Sequence, residues 1–590
     1  MTSETQLDRS LILPESELPG GSELLAEGRA MAIDWRVEQN PFLSHYNATC
    51  EYEYKQRCMA EGRVMQHAQI GFRDVDRSCD AYSTIWNECA ARDIVIDRYG
   101  ICLDWSMAVP RDQRSSAIRG TGMIMSDPET FARLAASAPV APHFGDFVLG
   151  FPAALENTQG ALTAGCTAIG NFGQYFTFRV PGWDDDVETT RMTLIALGLI
   201  AAQSVPILVH SNIDDGFAAQ FTDLTSALGM MEIERIIIEQ LVGAKMSHCF
   251  GHHFSDPLTR LAFQRASSKL SDTPGTMIYG NTTSYRGIHA QNFASLARYL
   301  NIDALGQSLT PTGHAINAVP VTENERIPEV HEIVDAQLFS GRLIELHQSM
   351  LPLIDLEQVD RVADKLFVGA IKFRDRLMSC FEEAGIDTSD AFEMLLSLRR
   401  IGARKLERRF GVGQEDLTQI GGRKPVVPGS ILDEIAEMAE TTMVDANQKD
   451  VDRVKAKKMR VLVATTDVHE HGKLLIEQIL RQINVEVIDG GVSTGVEQLI
   501  ADAASHQPDA IAVSTYNGVA LNYFRAAKRE MQKSEVSFPF LIGGRLNQIP
   551  EYSDNALPVD VGDKLAAEGA IVCRRAGEIV VELSGLVKEN

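Results

Sequence analysis

The sequence predicts an α/β protein in two parts: a TIM barrel over residues 61–345 with a helical extension over 346–455, and a flavodoxin-like (Rossmann-like) domain over 456–590. Three observations predict it. Short apolar runs followed by polar or glycine-rich residues recur from residue 61 to 345, as expected of a barrel that carries its chemistry at strand ends. The pattern then turns helical and charged. Beyond residue 456 apolar runs and helical stripes alternate once more, an order that implies a parallel sheet.

Residues 1–60, with Leu13-Pro14-Glu15 and Leu18-Pro19-Gly20-Gly21, read as an extended N-terminal arm. The barrel strands are placed at Ile94–Ile96, Phe147–Leu149, Ala168-Ile169, Pro206–Val209, Thr276–Tyr279 and Ala315-Ile316. Gly170-Asn171-Phe172-Gly173, His210-Ser211-Asn212 and Gly280-Asn281-Thr282-Thr283 follow three of them. Amphipathic patterns at Val359–Met378 and Ala391–Phe410 make the extension, and Gly429–Lys458 reads as a connection. In the last part, strands are expected at Val461–Ala464, Val485–Ile488, Ala510–Val513 and Phe538–Ile542. Leu475, Ile476, Ile479, Leu480 and Ile483 form an apolar helical stripe after the first of these.

Composition narrows the function classes. A 45% hydrophobic and 23% charged content suits a soluble globular protein, and a formal net charge of −25 argues against nucleic acid as a partner. The longest apolar stretch, Leu194–Val209, is broken by Gly198, Gln203, Ser204 and Pro206, so no membrane partner is expected. The polar start Met1-Thr2-Ser3-Glu4 is unlike a secretory signal, and nine cysteines without C-x-x-C spacing suit a reduced cytoplasm.

The most specific motif is Asp467-Val468-His469-Glu470-His471-Gly472, which reads D-x-H-x-x-G directly after Val461–Ala464. A loop leaving the carboxyl end of a parallel strand faces the crevice where open α/β sheets bind ligands. His469 can offer one ring nitrogen there, Asp467 can accept the other N–H and fix the tautomer, and Gly472 lets the backbone come close. Ser514-Thr515-Tyr516 and Gly543-Gly544 end the third and fourth strands at the same edge. Together these resemble a cobalamin-binding domain, with Tyr516 standing where its S-x-L element has leucine. The resemblance implies that His469 ligates cobalt as the metal ligand. It also implies that Asp467, Gly472, Ser514, Tyr516, Gly543 and Gly544 surround the cofactor and its nucleotide tail. An ordinary flavodoxin-like domain with a chance histidine is the bland alternative.

Gly280-Asn281-Thr282-Thr283-Ser284-Tyr285 and Pro311–Glu323 (PTGHAINAVPVTE) resemble the catalytic subunit of glutamate mutase, also called methylaspartate mutase. Fusion of such a barrel to a C-terminal cobalamin domain is similar to the arrangement expected of 2-methyleneglutarate mutase. The resemblance implies an adenosylcobalamin-dependent radical rearrangement of a small-molecule substrate by a homodimer. It also shows where the chain departs: the family's carboxylate-clamping arginines fall on Leu149 or Gly150 and on His67 or Ala68, its acidic residue on Asn171 and a tyrosine on Phe178. A less charged acid, amide, ester or thioester fits these residues better than glutamate. Pro181, Thr310 and His314 fall near positions that contact adenosylcobalamin in the family, where relatives carry lysine and glutamate at the last two.

Arg111, Arg114 and Arg286 are further candidate carboxylate anchors, with surface ion pairing as their bland reading. His248, His252 and His253 suggest metal ligands but lack a carboxylate or cysteine at catalytic-zinc spacing. Asp184-Asp185-Asp186 reads as a solvated face, and His143, His210 and Asn212 as polar groups that face the site or are satisfied inside the fold. The competing functions are a methylcobalamin-dependent methyltransferase and a cobalamin carrier or sensor without chemistry of its own.

Overall fold

The computed structural model describes residues 7–117, 122–180, 183–216, 220–251, 254–285, 288–416, 419, 421–466, 470–516, 518–548 and 559–587. It divides into two compact units, Met1–Phe176 with Asp185–Ser430, and Thr177–Asp184 with Ile431–Asn590.

The stretch expected as an extended arm is helical instead, with α1 (Arg9–Ile12), α2 (Gly21–Ala30), α3 (Pro41–His45) and α4 (Glu51–Ala60). Its prolines and glycines mark helix boundaries. Gly20 is the N-cap of α2, Pro41 opens α3, and the side chains of Asp8 and Asn40 accept the N–H groups of Ser10 and Leu43.

Eight parallel strands follow among the described residues: β1 (Gln66–Ile70), β2 (Arg98–Ile101), β3 (Ala141–Phe144), β4 (Ala168–Ile169), β5 (Leu208–Asn212), β6 (Lys245–Cys249), β7 (Met277–Ile278) and β8 (Ala315–Asn317). The helices that come after them in turn are α5 (Val75–Ala90), α6 (Pro128–Ala136), α7 (Ala154–Thr163), α8 (Asp186–Ala201), α9 (Leu224–Arg235), α10 (Pro257–Ser267), α11 (His289–Leu309) and α12 (Val330–Leu346). The strands form a curled parallel sheet in two hydrogen-bonded pieces, ordered β3-β2-β1-β8-β7 and β4-β5-β6, and a parallel bridge joins Phe250, just after β6, to Ile278 of β7. Helix α2 lies against α8 at backbone distance: a Cβ on Gly28 would sit 1.9 Å from the Ile195 carbonyl oxygen, and one on Gly198 would sit 2.4 Å from that of Leu25.

Two expected strands are displaced. Ile94–Ile96 precedes β2, and Phe147–Leu149 lies in the turn after β3. β1 and β6 were not marked by any apolar run, because Gln66-His67-Ala68-Gln69-Ile70 and Lys245-Met246-Ser247-His248-Cys249 mix polar residues into buried strands. The extension holds α13 (Leu356–Glu383), α14 (Ala391–Ile401) and α15 (Ala403–Phe410). α13 is tied to α10 by Arg265–Asp360 at 2.7 Å and to the turn after α10 by Lys269–Asp364 at 2.5 Å.

The second unit begins with α16 (Ser430–Val444) and α17 (Gln448–Lys457), so the stretch expected as a connection is largely helical. Then come β9 (Arg460–Thr465), α18 (His471–Gln482), β10 (Glu486–Asp489), α19 (Val496–His506), β11 (Ala510–Thr515), α20 (Ala520–Lys533), β12 (Phe540–Gly544), α21 (Gly562–Ala567), β13 (Ile571–Cys573) and α22 (Glu578–Leu586). The strands are parallel in the order β10-β9-β11-β12-β13, the flavodoxin-like arrangement whose ligand crevice opens at the carboxyl ends beside the first strand. Leu462, Ile511, Val513, Phe540 and Ile542 bury one face of this sheet with Phe524 of α20. No helix among the described residues is long and apolar enough to cross a membrane.

Glu407 of α15 accepts the backbone N–H groups of Thr222 and Asp223 at 2.7 and 2.8 Å, joining the extension to the start of α9. Burial outweighs these bonds and pushes its carboxyl from 4.5 up to about 7. A raised carboxyl favours the protonated folded form, so its contribution to stability is complete below 4.5 and is lost as pH rises through about 7. Urea unfolding between pH 4.5 and 8 is therefore expected to show stability falling with pH, and Glu407→Gln to flatten that slope. A variant with the wild-type slope would exclude Glu407 as its source.

Candidate functional site

The carboxyl edge of the second sheet holds a cavity of about 130 Å³ between β11, β12 and β13 and the flanking helices. Its walls come from residues that leave room. Gly472 lies in the first turn of α18 against the end of β11, where a Cβ would come within 2.3 Å of Ser514 Oγ. Gly543 stands opposite Cys573, and a Cβ on it would meet the Cys573 carbonyl oxygen at 3.0 Å. Gly544 adopts φ +90°, and its Cβ would collide with the Thr515 carbonyl oxygen at 2.4 Å. Leu475, Ile476 and Ile579 supply apolar sides. Thus Gly472, Ser514, Gly543 and Gly544, which are scattered over the sequence, line one space.

The first turn of α18 is held by Lys473, fully buried and ion-paired with Glu477 at 2.5 Å and with Asp489, at the end of β10, at 2.8 Å. Burial pushes the Cys573 thiol up to about 12, which keeps this wall residue protonated and unreactive. Tyr516 is half-exposed, outside the cavity lining, with the Arg545 guanidinium 5.2 Å from its ring centroid. Asp467, His469, Pro181 and Arg286 lie outside the described residues.

In the first unit, His67 is buried in β1 with Nε2 3.1 Å from Gln69 Oε1, and in register with Asn317 and Arg98. His143 and His210 place their rings 4.2 Å apart, and His210 Nδ1 is 2.7 Å from Thr276 Oγ1. Burial, reinforced by the Arg98 charge, holds all three imidazoles well below their ordinary pKa, so they are neutral. Arg98 faces Glu51 of α4 at 2.8 Å, and Lys55 donates to the carbonyls of Gly313 and Thr276 at 2.8 and 3.1 Å. Asn171, just past β4, accepts the Asn212 backbone N–H at 2.7 Å. Phe178 is buried in the Thr177–Asp184 segment grouped with the second unit. Arg260 of α10 braces the loops that follow β6 and β7: it donates to the carbonyls of Gly251 at 2.7 Å and Tyr279 at 2.8 Å and pairs with Asp303 at 2.5 Å.

The resemblance sets Thr310 and His314 near the cofactor. Both lie between α11 and β8, at the amino end of the strand, whereas ligands of such sheets gather at the carboxyl ends. Thr310 Oγ1 accepts from Arg265, while His314 bonds Thr312 Oγ1 at 2.7 Å and is driven down to about 3 by burial. A motif quoted without strand boundaries does not reveal which end of its strand a residue occupies. Arg114 is committed to the carbonyls of Val109 and Met125 and to Asn157, and His248 is bound by Glu234 at 2.9 Å. Asp185 caps α8, and Asp186 pairs with Arg400 at 2.7 Å. No group of three potential metal ligands occurs among the described residues, and His252 and His253 lie outside them.

Sequence reading missed β13 and with it Arg574 and Ala576, which also line the cavity. The signal was a three-residue strand, Ile571–Cys573, too short to stand out.

Residues 457–571 match the family model described as B12 binding domain. Among solved structures, the chain is similar to a novel cobalamin-binding protein from Desulfitobacterium hafniense DCB-2, with 16% identity over 27% of this chain and 80% of that one and a TM-score of 0.19, too slight a likeness to carry an argument. The C-terminal unit carries a B12-binding domain, and its apolar, glycine-walled slot fits a flat aromatic group of such a cofactor.

Gly472→Val places a branched side chain against Ser514, and cobalamin affinity by equilibrium dialysis is expected to drop by about 10-fold or more, the equivalent of ~1.4 kcal/mol. Wild-type affinity in a folded variant would remove this cavity from the binding site.

Proposed function

We propose that this chain is an adenosylcobalamin-dependent carbon-skeleton mutase acting on a small carboxylic acid or derivative other than glutamate. One observation carries the reading: Pro311–Glu323, which bears the resemblance to glutamate mutase, runs through β8 and past its carboxyl end, where barrel enzymes keep their chemistry. In this reading β1 to β8 close into a complete barrel, and the strand order, with β1 beside β8, supports it. The protein acts as a cytoplasmic homodimer with neither nucleic acid nor membrane as partner.

When bound, adenosylcobalamin supplies a carbon radical by homolysis of its cobalt–carbon bond. His469 would lend an imidazole to cobalt and Asp467 would hold its tautomer, while Gly472, Ser514, Gly543 and Gly544 would receive the nucleotide tail. In this reading His67 and Asn171 would face the substrate, and a neutral imidazole and an amide where the family has charged groups would position an uncharged or singly charged substrate through hydrogen bonds.

Two outcomes are expected. His469→Gly weakens cobalamin binding at least about 10-fold, as read from the visible spectrum during titration; unchanged binding would remove the imidazole from cobalt. In the wild type, small carboxylic acids and thioesters are screened for hydrogen exchange with a tritiated adenosyl group. Exchange with one of them supports the mutase, and exchange with none, alongside methyl transfer from methylcobalamin, would make the chain a methyltransferase. Neither reaction in the loaded protein would leave a carrier.

A further inference from the structure

Three histidines meet inside the first unit because glycines on the strands between them leave room. His67 stands on β1, His143 on β3 and His210 on β5. On β2, Gly100 is in register with Gln69 and His143, and a Cβ there would fall 1.9 Å from Gln69 Oε1 and 2.6 Å from His67 Nε2. Just past β4, a Cβ on Gly170 would fall 2.8 Å from His210 Cβ and Cδ2. His67 and His210 thus lie over gaps on either side of His143, whose ring centroid is 4.2 Å from that of His210. Tyr99, beside Gly100, sends its hydroxyl to the Tyr82 carbonyl on α5, so the row of Gln69, Gly100 and His143 faces away from that helix.

The hydrogen bonds of each ring fix its tautomer. His143 Nδ1 is 3.2 Å from the Ala168 carbonyl oxygen, which can only accept, so Nδ1 carries the proton and Nε2 the lone pair. Thr276 Oγ1 donates to the His248 carbonyl at 3.0 Å and accepts from His210 Nδ1 at 2.7 Å, which again leaves the lone pair on Nε2. Gln69 Oε1 accepts from His67 Nε2 at 3.1 Å, and His67 Nδ1 is buried with no hydrogen-bond partner. Three neutral rings from alternate strands therefore offer acceptors, and no metal-holding group of three occurs among the described residues. An acceptor shut away from water without a donor is costly, so these rings match a ligand that brings donors. A carboxylate has none to give, and an ammonium is opposed by the Arg98 guanidinium, which disfavours positive charge on all three rings. A hydroxyl is neutral and can donate.

Resting on the reading of this unit as the binder of a small carboxylic acid or derivative, we propose that His67, His143 and His210 select substrates whose carbon chain carries a hydroxyl over amino acids and unsubstituted acids. The test is titration calorimetry on the full chain with 3-hydroxybutyrate, 3-aminobutyrate and butyrate, each as the free acid and as the pantetheine thioester. The hydroxy compound is expected to bind about 10-fold or more tighter than butyrate, which leaves the acceptors unpaired, and the amino compound to bind more weakly than either. His143→Phe and His210→Phe are expected to bind the hydroxy and unsubstituted compounds alike. Equal wild-type affinity for those two, tightest binding of the amino compound, or a hydroxyl preference that survives in both folded variants would overturn the assignment. Where a variant does not fold, the wild-type order decides. A wild type that binds no member of either series would overturn the small-acid reading itself.

Discussion

The approach of α18 to β11 is the constraint on which the C-terminal unit depends. Helix and strand meet at Gly472 and Ser514 so closely that a single added carbon would fall 2.3 Å from the serine oxygen. The same economy recurs at Gly543 and Gly544, and the result is open space at a sheet edge where side chains normally close over the core. Such a space is costly unless something fills it, because wall atoms lose their packing partners. A cavity kept at the carboxyl edge, beneath a helix whose first turn is locked by Lys473, Glu477 and Asp489, is thus a feature maintained for a ligand.

In the N-terminal unit the governing term is burial of polar groups. Arg98, Glu51 and Lys55 are each at most 2% exposed, and Glu51 faces both cations, at 2.8 Å from Arg98 and 3.6 Å from Lys55, while burial still brings the Lys55 ammonium down to about 8. Helix α4 supplies two of the three, so the N-terminal helices are part of the fold of this unit. The same buried positive charge, added to desolvation, helps keep His67, His143 and His210 neutral.

These two regimes explain what was legible in the sequence. The strands of the second sheet have apolar centres, so β9, β10, β11 and β12 stood out within a residue or two of their ends, and Ser514, Gly543 and Gly544 lie at the carboxyl ends of β11 and β12. β13 escaped notice because it is three residues long, and Arg574 with it. In the first unit the buried strand positions are often polar, so β1 and β6 left no apolar trace and Phe147–Leu149 was mistaken for a strand. Without boundaries, the motif does not show that Thr310 and His314 precede β8. The N-terminal helices were hidden because their prolines and glycines serve as caps, which a single sequence does not distinguish from breakers of all structure.

The polar interior also bears on chemistry. General acid–base catalysis near neutral pH works best with a group whose pKa lies close to the working pH. His67, His143 and His210 are held well below that condition by burial, and the cations beside them are held by Glu51 and by backbone carbonyls. What remains is a dense array of fixed dipoles that can orient a substrate and exclude solvent without exchanging protons with it. Under the proposed mutase function, such an interior would rely on a reactive group supplied from outside itself, and a cobalamin would bring reactivity of its own while asking the protein chiefly for position and dryness.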